Sequence, residues 1–178
     1  GGTEIVTMIR TSKIQPETLI DLKVITEYTS FQEDEESWII GVGVQLNRIA
    51  EEITIPLFSE VAGKVADHTV RNSLTVAGNI CGKLPYREMA VPLLLLDADI
   101  EFVSSRGRRF VKFQDVFKRR LLLETDEWVM SIRIKKQPIK YKSIRRTQGT
   151  IIDYPIVHMM GVKSEKEIRF GCSGLFPF

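Results

Sequence analysis

Thr75-Val76-Ala77-Gly78-Asn79, followed by Pro85, Glu88 and the apolar run that ends at Leu96-Asp97-Ala98, decides how this chain is read. The stretch reads as strand, tight glycine turn, polar loop and helix. A residue without Cβ lets the backbone approach an anion, and successive amides then form a nest that favours negative charge. A helix that begins next adds the pull of its N-terminal dipole. A second turn of the same kind, Gly1-Gly2-Thr3-Glu4-Ile5, opens the chain, with the Thr3 hydroxyl as an extra donor. Taken singly, each is also ordinary turn chemistry, since Gly beside Asn is common in turns. Two such turns in one chain point to the two phosphates of a dinucleotide.

The rest of the composition sets bounds. With 178 residues, 43% hydrophobic and 27% charged, the chain can bury one sizeable core, in one lobe or two. No apolar run reaches the roughly 18 residues of a membrane span. No basic, apolar and small-residue leader pattern opens the sequence. Cys81 and Cys172 lie far apart without a C-x-x-C motif, which fits a reducing, cytoplasmic setting and cannot alone hold an iron–sulfur cluster. His68 and His158 are not at metal-ligand spacing, so no metal site is expected. Residues 1–100 hold 8 Lys/Arg against 15 Asp/Glu, and residues 101–178 hold 17 against 8. That polarity favours docking to partners or attraction of anionic ligands by the basic half.

Along the chain, a short helix is expected over Ile5, Met8 and Ile9, and a strand over residues 18–22. The acidic run at 32–36 reads as a solvated hairpin tip before a strand at 37–44. Leu46, Ile49 and Ala50 begin a helix, and Phe58, Val61, Ala62 and Val65 form the stripe of a second one. Residues 88–98 read as a helix with Pro92 fixing an early turn or a kink. Residues 100–103 and 109–113 flank a hairpin turn. Trp128, Met130, Ile132 and Ile134 alternate on one strand face, and strands follow at 141–146, 156–162 and 168–170. The class is α+β. The lack of an initiator Met, a start inside a glycine loop and the apolar residues 170–178 are the pattern expected of part of a longer polypeptide.

Several residues carry two readings each. Glu88 is either a helix-end carboxylate or an acceptor for ribose or ribityl hydroxyls. Lys142, Arg145 and Arg146 form a basic strand whose plainest role is a solvated face. His68 is expected to pack or cap, and His158, among Ile156, Val157, Met159 and Met160, to be a satisfied core histidine. Phe110, Phe113 and Phe117 lie near basic residues, but their spacing suits a buried hairpin face better than a nucleic-acid surface.

The residues from Thr69 to Ala98 resemble the FAD-binding domain of molybdopterin dehydrogenases, the group of xanthine dehydrogenase and the medium subunit of carbon monoxide dehydrogenase. Gly1-Gly2-Thr3-Glu4-Ile5 resembles that family's first flavin loop, Ile40-Gly41-Val42-Gly43-Val44 its glycine-bearing strand, and residues 141–146 and 170–177 the start of its small C-terminal lobe. The resemblance implies a two-lobed α+β fold of the vanillyl-alcohol-oxidase-like type. Residues 1–136 would be the FAD-binding domain, lacking an N-terminal strand and helix, and residues 137–178 an incomplete second α/β lobe. It implies that Gly1, Gly2, Thr3, Glu4 and Ile5 wrap the pyrophosphate and nearby flavin atoms. Thr75, Val76, Ala77, Gly78 and Asn79 would form the second loop. Glu88 falls where the family usually has Asp, Val129 where an apolar side chain packs near the isoalloxazine, and Lys142 near a position that contacts the flavin. Ala77, Leu84 and Arg87 depart from the family's Gly, Ser and small residue.

By the same resemblance the chain is an electron-transfer oxidoreductase subunit without acid–base residues of its own. Its partners would be a molybdopterin-binding large subunit and a 2Fe-2S small subunit, with NAD or oxygen as acceptor. Neither nucleic acid nor membrane is expected. A noncatalytic scaffold that has lost the flavin through Ala77, Leu84 and Arg87 is the alternative.

Overall fold

A computed structural model describes residues 1–83, 86–149 and 154–174. Its centre is a five-stranded antiparallel sheet built from β1 (Phe31–Glu33), β2 (Ser37–Gly41), β3 (Asp99–Ser104), β4 (Gly107–Lys112) and β5 (Trp128–Lys135) in the order β1-β2-β5-β3-β4. The register sets Ile40 opposite Ile132, and Ile132 opposite Ile100, so three fully buried isoleucines cross the sheet in one row. Side chains one residue apart point to opposite faces, and this row marks the core face.

Helices α2 (Leu46–Glu51) and α3 (Phe58–Lys64) add Leu46, Ile49, Phe58, Val61 and Ala62 to that core, as their helical spacing requires. Helix α1 (Thr3–Arg10) lies at the surface with no buried residue. Single helical turns occur at Thr26–Thr29, His68–Arg71 and Phe113–Val116. The remaining helices are α4 (Val76–Cys81) and α5 (Ala90–Leu95). A second antiparallel sheet, of order β8-β7-β6, comprises β6 (Lys140–Thr147), β7 (Pro155–Lys163) and β8 (Ile168–Ser173). It packs on α5 through β7 and β8, and its Met160 and Val162 are buried in the same core as the first sheet.

The glycine-bearing strand has a packing reason. A side chain on Gly41 would meet the Glu27 carbonyl oxygen at 2.3 Å, and one on Gly43 would meet the Tyr28 ring at 2.3 Å. The amides of Gly41 and Gly43 donate to the carbonyls of Ser30 and Tyr28 (both 2.8 Å), so residues 27–30 lie flush on the strand. Arg108 clasps the Glu27 carboxylate through both terminal nitrogens at 2.6 and 2.7 Å, which holds Glu27 below the usual carboxylate range.

Four expectations change. Residues 18–22 form no strand: nothing pairs with them, and the Asp21 carboxylate instead caps a 3-10 turn at Leu22–Val24 by accepting from the Lys23 amide (3.0 Å). The helix expected over 88–98 is confined to Ala90–Leu95, with Pro92 in its first turn, where the lost N–H had no intrahelical acceptor. The alternation of β5 is masked, because Val129, Met130, Ser131 and Ile132 are all buried and the register to β3 shifts between Glu101 and Phe102. Finally, Thr75 to Asn79 is not a strand, turn and loop but the cap and first turn of α4. Leu84 and Pro85 lie outside the described residues, as do residues 175–178 of the apolar end.

Candidate functional site

The first glycine loop carries the open donors. Gly2 adopts φ 88° and ψ −7°, the left-handed region that favours glycine, and nothing lies within 4 Å of where its side chain would be. It starts α1, whose N-terminus has no side-chain cap. The first turn of a helix leaves its N–H groups without intrahelical acceptors, so the amides at Thr3, Glu4 and Ile5 form a compact positive end. Glu4 does not face this opening. Its two oxygens accept from the Lys83 amide (both 3.1 Å), which ties α1 to the residues after α4.

The second loop stands beside the first. The Gly1 amine donates to the Ser73 carbonyl, and a side chain on Gly1 would lie 3.5 Å from Thr75 Oγ1. The expected nest of amides at 75–79 is nevertheless corrected. Val76 and Ala77 donate inward to the carbonyls of Val44 (3.3 Å) and Val42 (2.8 Å). Gly78 donates to Thr75 Oγ1 (3.1 Å), and Asn79 to the Thr75 carbonyl (3.0 Å). The Thr cap and the inward bonds to the strand-end carbonyls use the amides of residues 76–79. Ala77 keeps a negative φ in α4, so it replaces a glycine there without strain. What faces outward is exposed Gly78 and the amide nitrogen of Asn79, whose Oδ1 accepts from the Met89 amide (3.0 Å).

Glu88 is held by side chains of the second sheet. It is 3% exposed, and its Oε1 accepts from His158 Nδ1 at 2.8 Å and Arg145 Nε at 3.0 Å. His158 is fully buried, and its Nε2 meets Ser143 Oγ at 2.9 Å. Lys64 Nζ donates to the same hydroxyl (2.9 Å) and pairs with Glu60. Lys64, Ser143, His158, Glu88 and Arg145 thus form one hydrogen-bonded chain between the two sheets' layers. His158 is the satisfied core histidine that its apolar surroundings suggest. Arg145 and His158 are register partners, a relation no spacing in one strand reveals. The usable signal was weaker: polar Ser143 and Arg145 two residues apart share a strand face.

Val129 and Lys142 lie on β5 and β6, and the neighbour of Val129, Met130, accepts from the Val42 amide, whose carbonyl in turn takes the Ala77 amide. Val129 is 4% exposed, a core residue opposite Phe102. Lys142 is exposed on β6 and points away from the face of Ser143 and Arg145. Arg87 does not close the loops: it donates to the carbonyls of Gly82 (3.0 Å) and Arg119 (2.9 Å), bracing the segment after α4. His68 is exposed and meets Glu51 at 3.0 Å. Among the described residues no three His, Cys, Asp or Glu side chains converge as a metal site would need, and no helix is long and apolar enough to cross a membrane.

Comparison with known proteins places these features in context. Residues 1–136 match the family described as the FAD binding domain in molybdopterin dehydrogenase. The carbon monoxide dehydrogenase medium chain of Hydrogenophaga pseudoflava is 30% identical over 140 residues, covering 75% of this chain and 49% of that one. The caffeine dehydrogenase subunit beta of a Pseudomonas species is 28% identical over 178 residues, covering 93% and 60%. A solved carbon monoxide dehydrogenase from Hydrogenophaga pseudoflava superposes with a TM-score of 0.87 at 25% identity, over 99% of this chain and 66% of that one. Quinoline 2-oxidoreductase from Pseudomonas putida 86 shares the fold, with the same TM-score at 20% identity, over 99% and 65%. The chain spans about half to three fifths of the length of these sequence relatives.

Proposed function

Because this chain belongs to the family of FAD-binding domains in molybdopterin dehydrogenases, we propose that it is the flavin-carrying part of a molybdenum-containing oxidoreductase complex. The observation that carries the reading is the uncapped N-terminus of α1 behind left-handed, unobstructed Gly2, set against Thr75 of the second loop. These residues fit a diphosphate: Gly2 lets the backbone approach, and the amides of Thr3, Glu4 and Ile5 supply donors and dipole. Gly1, Thr75, Gly78 and Asn79 would flank it. Val76 and Ala77 would support the second loop from within, because their amides are already paired to Val44 and Val42.

FAD, when bound, supplies a ring that exchanges electrons singly with clusters and in pairs with nicotinamide. This chain's own residues bind and orient it. The Glu88 cluster fixes the second sheet relative to α5 and so shapes the wall behind the loops. Buried Val129 would pack near the isoalloxazine, and exposed Lys142 of β6 would contact the flavin.

The wider assignment follows the relatives' names, which describe medium chains and FAD-binding subunits of dehydrogenases. A molybdopterin-binding large subunit and a 2Fe-2S small subunit as partners, NAD or oxygen as acceptor, and a cytoplasmic setting belong to this proposal. Titration of the complete polypeptide with FAD, followed by flavin absorption and thermal shift, tests the reading. Yellow protein at one flavin per chain is expected. Colourless protein that added FAD leaves unmoved would replace it with the scaffold reading, which the inward-paired amides of residues 76–79 favour.

A further inference from the structure

Strand β6 is the free edge of its sheet, and a groove of about 480 Å³ runs along it. Among the described residues its wall is Lys64, Ser143, Ile144, Arg145, Arg146 and Thr147: three cations, two hydroxyls and no carboxylate. Glu60 and Glu88, which pair with Lys64 and Arg145, are outside the lining. Arg146 is exposed, and among the described residues no carboxylate forms an ion pair with it. The register to β7 shifts between Arg146 and Thr147, where β7 carries one extra residue, Ile156. An edge strand also turns alternate N–H groups outward. Cationic side chains and hydroxyls therefore line one open groove.

We propose that this groove is an anion site that binds the phosphate groups of a small phosphorylated molecule distinct from the flavin held at Gly2. The guanidinium of Arg146 supplies a planar fork for phosphate oxygens, and Lys64 a point charge at the opposite wall. The Thr147 hydroxyl adds a neutral donor. The site does not depend on the flavin reading, because none of its residues lies in either glycine loop.

The test is calorimetric titration of the complete polypeptide with inorganic pyrophosphate and with ADP, at low and at high salt, alongside a measured flavin content. Saturable binding that weakens with salt is expected, and Arg146→Gln should weaken it by about tenfold. Flavin content and unfolding midpoint should stay as in the wild type. ADP binding more tightly than pyrophosphate supports a nucleotide ligand, and equal affinities support a bare phosphate group. Absence of saturable binding, wild-type affinity in the Arg146→Gln protein, or loss of flavin in it overturns the proposal. The last result would assign the groove to the flavin itself.

Discussion

The carboxylate of Glu88 lies 2.8 Å from Nδ1 of the fully buried His158, seventy residues further along the chain. The same oxygen takes Arg145 Nε at 3.0 Å, so one carboxylate holds two strands of the second sheet against the entrance to α5. Removing it takes one acceptor from part-buried Arg145 and leaves the buried His158 imidazole without its carboxylate. Glu88→Ala is therefore expected to destabilise by about 3–5 kcal/mol. Urea unfolding monitored by tryptophan fluorescence measures this. A loss below about 1 kcal/mol would mean that water replaces the carboxylate.

Gly2 can be probed apart from folding, since α1 buries no residue. Gly2→Val forces a branched side chain into φ near 88°, which costs roughly 1–2 kcal/mol locally. FAD affinity should fall by at least about tenfold while the urea midpoint hardly moves. Flavin fluorescence titration gives the affinity. Unchanged binding would show that the diphosphate does not sit at this turn.

Thr75 caps α4 through its side-chain oxygen, 3.1 Å from the Gly78 amide. Thr75→Ala should cost about 1 kcal/mol, and Thr75→Ser should restore most of it because Ser caps equally well. Equal losses in both variants would place the importance of Thr75 in its methyl group.

Gly43→Ala is expected to destabilise by about 1–3 kcal/mol, because the added methyl meets the Tyr28 ring and not open space. Gly107→Ala is the control, since no atom lies within 4 Å of its missing side chain, although its positive φ adds its own strain. The informative readout is near-ultraviolet circular dichroism, where displacement of Tyr28 in the Gly43 variant alone should appear.

Arg109 holds Glu127 by two bonds of 2.6 and 2.8 Å, which brings its carboxyl from 4.5 down to about 2. A carboxylate depressed on folding stabilises fully above its unfolded pKa, and that contribution disappears as pH falls through its folded one. The Glu127 contribution should thus be constant above about 4.5 and vanish between 4.5 and 2. Comparing wild type with Glu127→Gln from pH 7 to pH 2 checks the sign: the two stability curves should converge toward acid. Curves that run parallel would rule out this linkage.

Local periodicity made much of the first layer legible. The stripes at Leu46–Ile49 and Phe58–Val65 form helices because each spacing closes one apolar face, and the hairpin around Ser105 follows from two apolar runs and a polar turn. Residues 75–79 were opaque for a physical reason. Whether a Gly-Asn pair ends in an open nest or a capped helix turn depends on the carbonyls of Val42 and Val44, over thirty residues away. The same holds for Glu88, whose partners are set by strand register in a sheet that its own neighbourhood does not mention. Residues 18–22 have strand-like composition, yet composition supplies no pairing partner, and Leu19 and Ile20 remain exposed. Short-range chemistry chose the elements, and distant hydrogen bonds chose what each polar group does.

Helix α5 touches one sheet through the shared core and the other through β7 and β8. Its amides should therefore be among the slowest to exchange with deuterium, released only when the whole molecule opens. A cut after residue 136 is accordingly expected to bare the apolar flank of α5 that β7 and β8 cover. The joint between these layers is a place where evolution could graft new outer parts only by keeping that flank covered.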